Sequence, residues 1–145
     1  MNCYEDESLN HLFVRVRHLH HQCAVGRFES LGLNYGQPPI LFELLKKDGL
    51  TQKELSQLRN VSPATITVTL KRMEKAGWIT RRVDSEDSRV SRVYLTDKSR
   101  QLQLPLKALE TQLDDETFRS FNDTDKALMR RFLLQMWDNL SISGK

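Results

Sequence analysis

The chain has 145 residues, 39% hydrophobic and 28% charged, with a formal net charge of +3. That length supports one domain, residues 1–145, with a real core, and no apolar run reaches the roughly 18 residues of a membrane span. Two cysteines, Cys3 and Cys23, make no disulfide framework, and no C-x-x-C is present to hold structural zinc.

The first seven residues, MNCYEDE, are acidic and lack a signal-peptide pattern, so a cytoplasmic protein is expected. Residues 8–30 then read as a helix. Leu9, Leu12, Val16, Leu19 and Cys23 step by 3, 4, 3 and 4, which is a heptad seam. Phe13 and Val14 widen that face. Gly26 and the stretch Gly32 to Gly36 weaken the helix and lead into a loop. Pro38-Pro39 opens a second helix, Ile40 to Lys47, and Asp48-Gly49 turns the chain.

Residues 51–77 read as two helices joined by a tight turn. Thr51 and Glu54 form a T-x-x-E capping box that starts the first, with Leu55 and Leu58 on its apolar side. Asn60 falls where the backbone must turn, and Asn tolerates the left-handed conformation. Ser62 is a favoured N-cap, Pro63 suits the first helical position, and Gly77 ends the second helix. This spacing predicts a helix-turn-helix. At about 100° per residue, Ile66, Leu70 and Met73 share one side of the second helix. Ala64, Thr67, Val68, Lys71, Arg72 and Lys75 lie on or near the other. Small residues, an exposed pair of methyls and then cations suit a DNA major groove.

Residues 78–95 predict a β-hairpin. Ile79 to Val83 and Ser91 to Leu95 are β-branched, aromatic and basic, and a polar loop, Asp84 to Ser88, joins them. A hairpin directly after a helix-turn-helix is the layout of a winged helix. Arg81, Arg82, Arg89 and Arg92 sit on or beside it, placed to enter a minor groove or clamp phosphates. The loop carboxylates would repel phosphate, so Asp87 is assigned to orient Arg89.

Residues 97–142 return to helix. Thr96-Asp97 caps a long one with Leu102, Leu106, Leu109 and Leu113 in a stripe, and Pro105 should kink it or mark a late start. Asn122 to Asp125 are capping residues. They open a last helix with Leu128, Phe132, Met136 and Leu140 on one stripe. The expected fold class is therefore mainly α with a small β-hairpin wing (α+β), a winged helix-turn-helix flanked by terminal helices. Those helices, 8–30 and 97–142, carry more apolar surface than one small winged helix needs. A two-fold dimer would bury it and space two recognition helices one DNA turn apart.

Charge is focused on the same stretch. Residues 51–100 hold eleven Lys and Arg against six Asp and Glu, a surplus of five, while the other 95 residues hold 11 against 13.

Taken together, Gln37, Leu50 to Leu55, Ser62-Pro63, Met73 to Ile79, Asp84 to Arg89 and Leu95-Thr96 resemble the MarR (multiple antibiotic resistance regulator) family of winged-helix regulators. The likeness covers nearly the whole chain. Ser88 stands where many members have a second Arg, and Ser99 where most have Gly. The resemblance implies a sequence-specific DNA-binding transcription regulator: a homodimeric repressor on palindromic promoter sites, relieved by a small-molecule effector. It implies DNA contacts from Gln52, Ser62, Pro63, Ala64, Thr65, Thr67, Val68, Lys71, Arg72, Asp87, Arg89, Ser91 and Arg92. Thr67, Val68 and Lys71 would read or border base edges, while Gln52 and Arg72 would hold phosphates.

Two other inputs and one other output compete with this reading. His11, His18, His20 and His21 lie on the first helix, where a metal site would need further ligands such as Glu29 or Cys23. Cys3 beside Tyr4 is the weak candidate for redox sensing, and Cys23 reads as a small buried hydrophobe. A winged helix can also dock a protein partner. No enzyme signature is present, no phosphate loop and no G-x-S-x-G or H-E-x-x-H, and no cofactor is expected.

Overall fold

The computed structural model describes residues 7–143, so Cys3 and Tyr4 lie outside the described residues. In chain order the elements are α1 (Leu9–Glu29), α2 (Gln37–Lys46), β1 (Leu50–Thr51), α3 (Gln52–Arg59) and α4 (Pro63–Lys75). Then come β2 (Ile79–Val83), β3 (Ser91–Leu95), α5 (Asp97–Arg100), α6 (Gln103–Thr117) and α7 (Asp123–Ser143). The chain forms two compact units. One runs to Glu110 and the other starts at Thr111.

The first unit is the winged helix. Its sheet has the order β1-β3-β2, all antiparallel, with Ile79 opposite Leu95 and Val83 opposite Ser91. Strand β1 adds only Leu50 and Thr51, opposite Val93 and Arg92. The sequence signals a hairpin, and two residues are too few to show strand alternation. The core gathers Leu41 and Leu44 of α2, Leu55 of α3, Ile66, Leu70 and Met73 of α4, and Val93 and Leu95 of β3. Each element thus buries the stripe its periodicity marks.

The punctuation residues act locally as expected. The Thr51 hydroxyl accepts from Glu54 N–H and the Glu54 carboxylate accepts from Thr51 N–H, closing the capping box. Asn60 is left-handed at φ 48° and, among the described residues, is alone in this outside glycine. Gly77 has φ 77° and ends α4. Helix α1 runs through Gly26 to Glu29, within the expected span of 8–30.

Two points after the wing are decided by the structure. The long helix after the wing is broken into four-residue α5 and then α6. Pro105 occupies the first turn of α6, where its missing N–H costs nothing, so the late start is the outcome. Ser99 needs no glycine-like backbone: it is buried in α5 and its hydroxyl donates to Thr96 O at 3.0 Å. In the second unit, Asn122 and Asp125 cap each other's backbone N–H at the start of α7. Among the described residues no helix is long and apolar enough to cross a membrane.

Candidate nucleic-acid interface

Helix α4 presents the two faces its sequence implies. Ile66, Leu70 and Met73 are buried, while Ala64, Lys71, Arg72 and Lys75 are exposed and Val68 is half exposed. Ser62 caps the helix by accepting from Thr65 N–H at 3.1 Å, with Pro63 next in sequence. The positive end of the helix dipole lies at Pro63, and Arg72 and Lys75 stand in the last turn.

Thr67 is only half exposed. Its hydroxyl donates to Pro63 O at 2.8 Å and accepts from the Gln52 side-chain amide. Gln52, expected to hold phosphate, has an intramolecular partner here and ties the start of α3 to the start of α4.

The wing has an ordered internal chemistry. Asp84 Oδ1 accepts from the backbone N–H of Glu86 at 2.9 Å and of Asp87 at 3.1 Å, forming the turn. Its Oδ2 accepts from Arg92 Nε, and Arg92 Nη1 donates to Gly49 O at 3.0 Å. Arg92 thus joins the hairpin base to the α2–β1 turn and does not project from the wing. The Arg92 guanidinium, followed by the two turn N–H groups, holds the Asp84 carboxyl down at about 2.

Arg89 is the projecting cation. Its Nε and Nη2 donate to the two carboxylate oxygens of Asp87 at 3.0 and 3.1 Å, and its N–H donates to the same carboxylate. The Arg89 side chain remains 88% exposed. That pairing lowers the Asp87 carboxyl below its usual range and raises the Arg89 guanidinium. Ser88 and Ser91 are exposed beside it. Arg81 pairs with Glu74 of α4 at 3.4 Å, and the Arg82 guanidinium stacks 5.0 Å from the Tyr94 ring centre.

Asp48 and Gly49 signal only a turn in the sequence, yet they organise the wing base. Asp48 Oδ1 accepts from Leu95 N–H at 3.0 Å, and its other oxygen pairs with Arg100. Gly49 has φ 76°, and a Cβ there would stand 2.9 Å from the Tyr94 ring. The Asp-Gly pair marks the turn, but nothing local announces partners more than 40 residues away.

A sequence model described as the MarR family matches residues 31–90. The regulator YwoH of Bacillus subtilis, an uncharacterised helix-turn-helix transcriptional regulator, is 33% identical over 133 residues. The match spans 82% of this chain and 96% of that protein. The chain belongs to the MarR family.

Solved MarR-type structures carry the same fold. A MarR regulator from Methanosarcina mazei superposes with a TM-score of 0.82 at 23% identity, covering 92% of this chain and 97% of that one. The S. aureus MepR–DNA complex gives 0.84 at 21% identity, covering 94% and 99%. As a MarR-family member the chain is a transcription regulator with a winged helix, not an enzyme.

The other candidates divide. His11, His18 and His20 are exposed on α1, while His21 packs edge-on against Tyr35 at 4.2 Å. Among the described residues no three His, Cys, Asp or Glu side chains converge to hold a metal. Cys23, expected buried, is exposed on the protomer, as are Leu9, Leu12, Val16 and Leu19 of the same seam. Leu128, Phe132 and Leu140 of α7 are exposed too, and Met136 is half-buried.

Proposed function

We propose that this MarR-family regulator is a homodimeric repressor that occupies a palindromic promoter site in the cytoplasm and is released by a small-molecule effector. Helix α4 enters the major groove with Val68 and Lys71 toward the bases and Arg72 toward phosphate. Arg89 enters the adjacent minor groove, with Asp87 fixing its direction. Gln52 and Thr67 set the position of α4.

The observation that carries the proposal is Arg89, exposed yet held bidentately by Asp87. An exposed arginine ordinarily samples many rotamers, and ordering it beforehand lowers the entropy cost of contact. MepR, whose complex with DNA shares the fold, supports a nucleic-acid partner over a protein one.

The dimer rests on the apolar seam. None of the 21 residues of α1 is buried within the chain. A second copy is the simplest cover for Leu12, Val16 and Leu19. An effector acts if it binds the non-DNA geometry more tightly than the DNA-bound one.

The test is selection of duplexes from a random pool by the full-length protein. Enrichment of an inverted repeat, bound by two chains as judged by light scattering, is the expected result. A protein that enriches no sequence, or binds its site as a monomer, would overturn the proposal.

A further inference from the structure

We infer that the first two turns of α4 read DNA through methyl groups, and that each half-site carries a thymine whose 5-methyl packs on Val68. This deepens the DNA contact proposed above and rests on it.

The sequence Thr65-Ile66-Thr67-Val68-Thr69 is a run of five β-branched residues inside a helix. Such residues lose side-chain freedom in a helix and are poorer helix formers than Ala, Leu or Lys. Burial explains Ile66, which is 2% exposed. It does not explain Val68, which is 49% exposed.

Two hydroxyls of this run bond back to carbonyls of their own helix. Thr67 donates to Pro63 O and Thr69 donates to Thr65 O at 2.9 Å. The Ser62 and Thr65 hydroxyls share one hydrogen bond at 2.8 Å. A threonine that donates to its own backbone has no proton left for a base edge. Around Val68 the outward chemistry is therefore carbon, the Ala64 methyl and the two methyls of Val68, while one hydroxyl proton of the Ser62–Thr65 pair stays available at the helix start.

Val in a helix has one strongly preferred χ1, so this surface is stiff. In the major groove thymine alone presents a methyl, and cytosine offers an amino group instead. Lys71, one turn beyond Val68, supplies donors for a neighbouring base acceptor. The predicted preference is a thymine beside a base that Lys71 can reach.

The experiment uses the duplex selected by the full-length protein, resynthesised with one thymine at a time replaced by uracil. That change removes the methyl and keeps the pairing. We expect one or two thymines per half-site at which uracil weakens binding about fourfold, the scale of one buried methyl. Val68→Ala should bind thymine and uracil duplexes equally at that position, with its helical circular dichroism unchanged. Uracil tolerated at every half-site position would overturn the inference, as would a fourfold loss that persists in Val68→Ala. A pool that enriches no duplex would overturn the DNA contact itself, a separate failure.

Discussion

Arg89 and Asp87 pose a direct contest between orientation and net charge. Arg89→Ala should weaken binding to the selected duplex about tenfold or more while leaving the fold intact, since the side chain is exposed. Its salt dependence should become shallower, by about 0.9 in the log–log slope for each phosphate no longer neutralised. Asp87→Ala removes a negative charge from a surface meant for DNA, so charge counting predicts tighter binding. The bidentate pairing predicts weaker binding, because Arg89 would lose its fixed direction. Titrating both variants on one duplex across a salt series decides it, and tighter binding by Asp87→Ala rejects the orienting role. Core residues behave differently. Leu70, fully buried, should lose about 2–5 kcal/mol on Leu70→Ala, read from denaturant unfolding. The Asp-x-Arg spacing made the Arg89 pair legible, because both members sit on one turn. The role of Arg92 was not legible, because its carbonyl partner is Gly49, 43 residues away.

The wing behaves as an element only while its base holds. Asp84 closes the loop turn and pairs with Arg92, and its carboxyl lies at about 2 against an ordinary 3.8. A carboxyl that is more acidic folded than unfolded adds stability above the unfolded pKa. That contribution fades as pH falls from about 4 through about 2. Amide exchange at Glu86 and Asp87 should therefore accelerate relative to the core over that window. Asp84→Asn should remove most of this pH dependence, and an unchanged profile in that variant would dismiss the linkage. Arg92→Ala should weaken DNA binding with its salt slope intact, because the residue is used inside the protein. A slope lowered as much as in Arg89→Ala would return Arg92 to the DNA surface. The helices, by contrast, were largely legible: a capping box, Ser-Pro, Asn60 and Gly77 each act through the residues beside them. Strand β1 and the break between α5 and α6 were harder. The first is two residues long, and the second needed a choice between a kink and a late start that Pro105 leaves open.

At the scale of the molecule, the exposed seam on α1 should decide how tightly DNA is held. Leu12 and Leu19 are 39% and 59% exposed on the protomer, with Val16 between them. Each side chain covered by a second copy gains roughly 25 cal/mol per Å² of apolar surface removed from water. Charges at Leu12→Asp and Val16→Asp would face that interface unpaired, which opposes association strongly. The double variant should run as a monomer by light scattering while its winged helix keeps its fold. DNA then reports the coupling. Linking two half-site contacts makes the second effectively intramolecular, which raises affinity far beyond either alone. The wild-type chain should therefore prefer the full inverted repeat over a single half-site by about a hundredfold or more. The double variant should bind both duplexes equally, at the weak half-site level, since its Val68, Lys71 and Arg89 are untouched. An unchanged dimer would refute the seam, and a monomer that kept the full-site preference would refute the claim that the dimer, rather than the DNA, supplies the coupling.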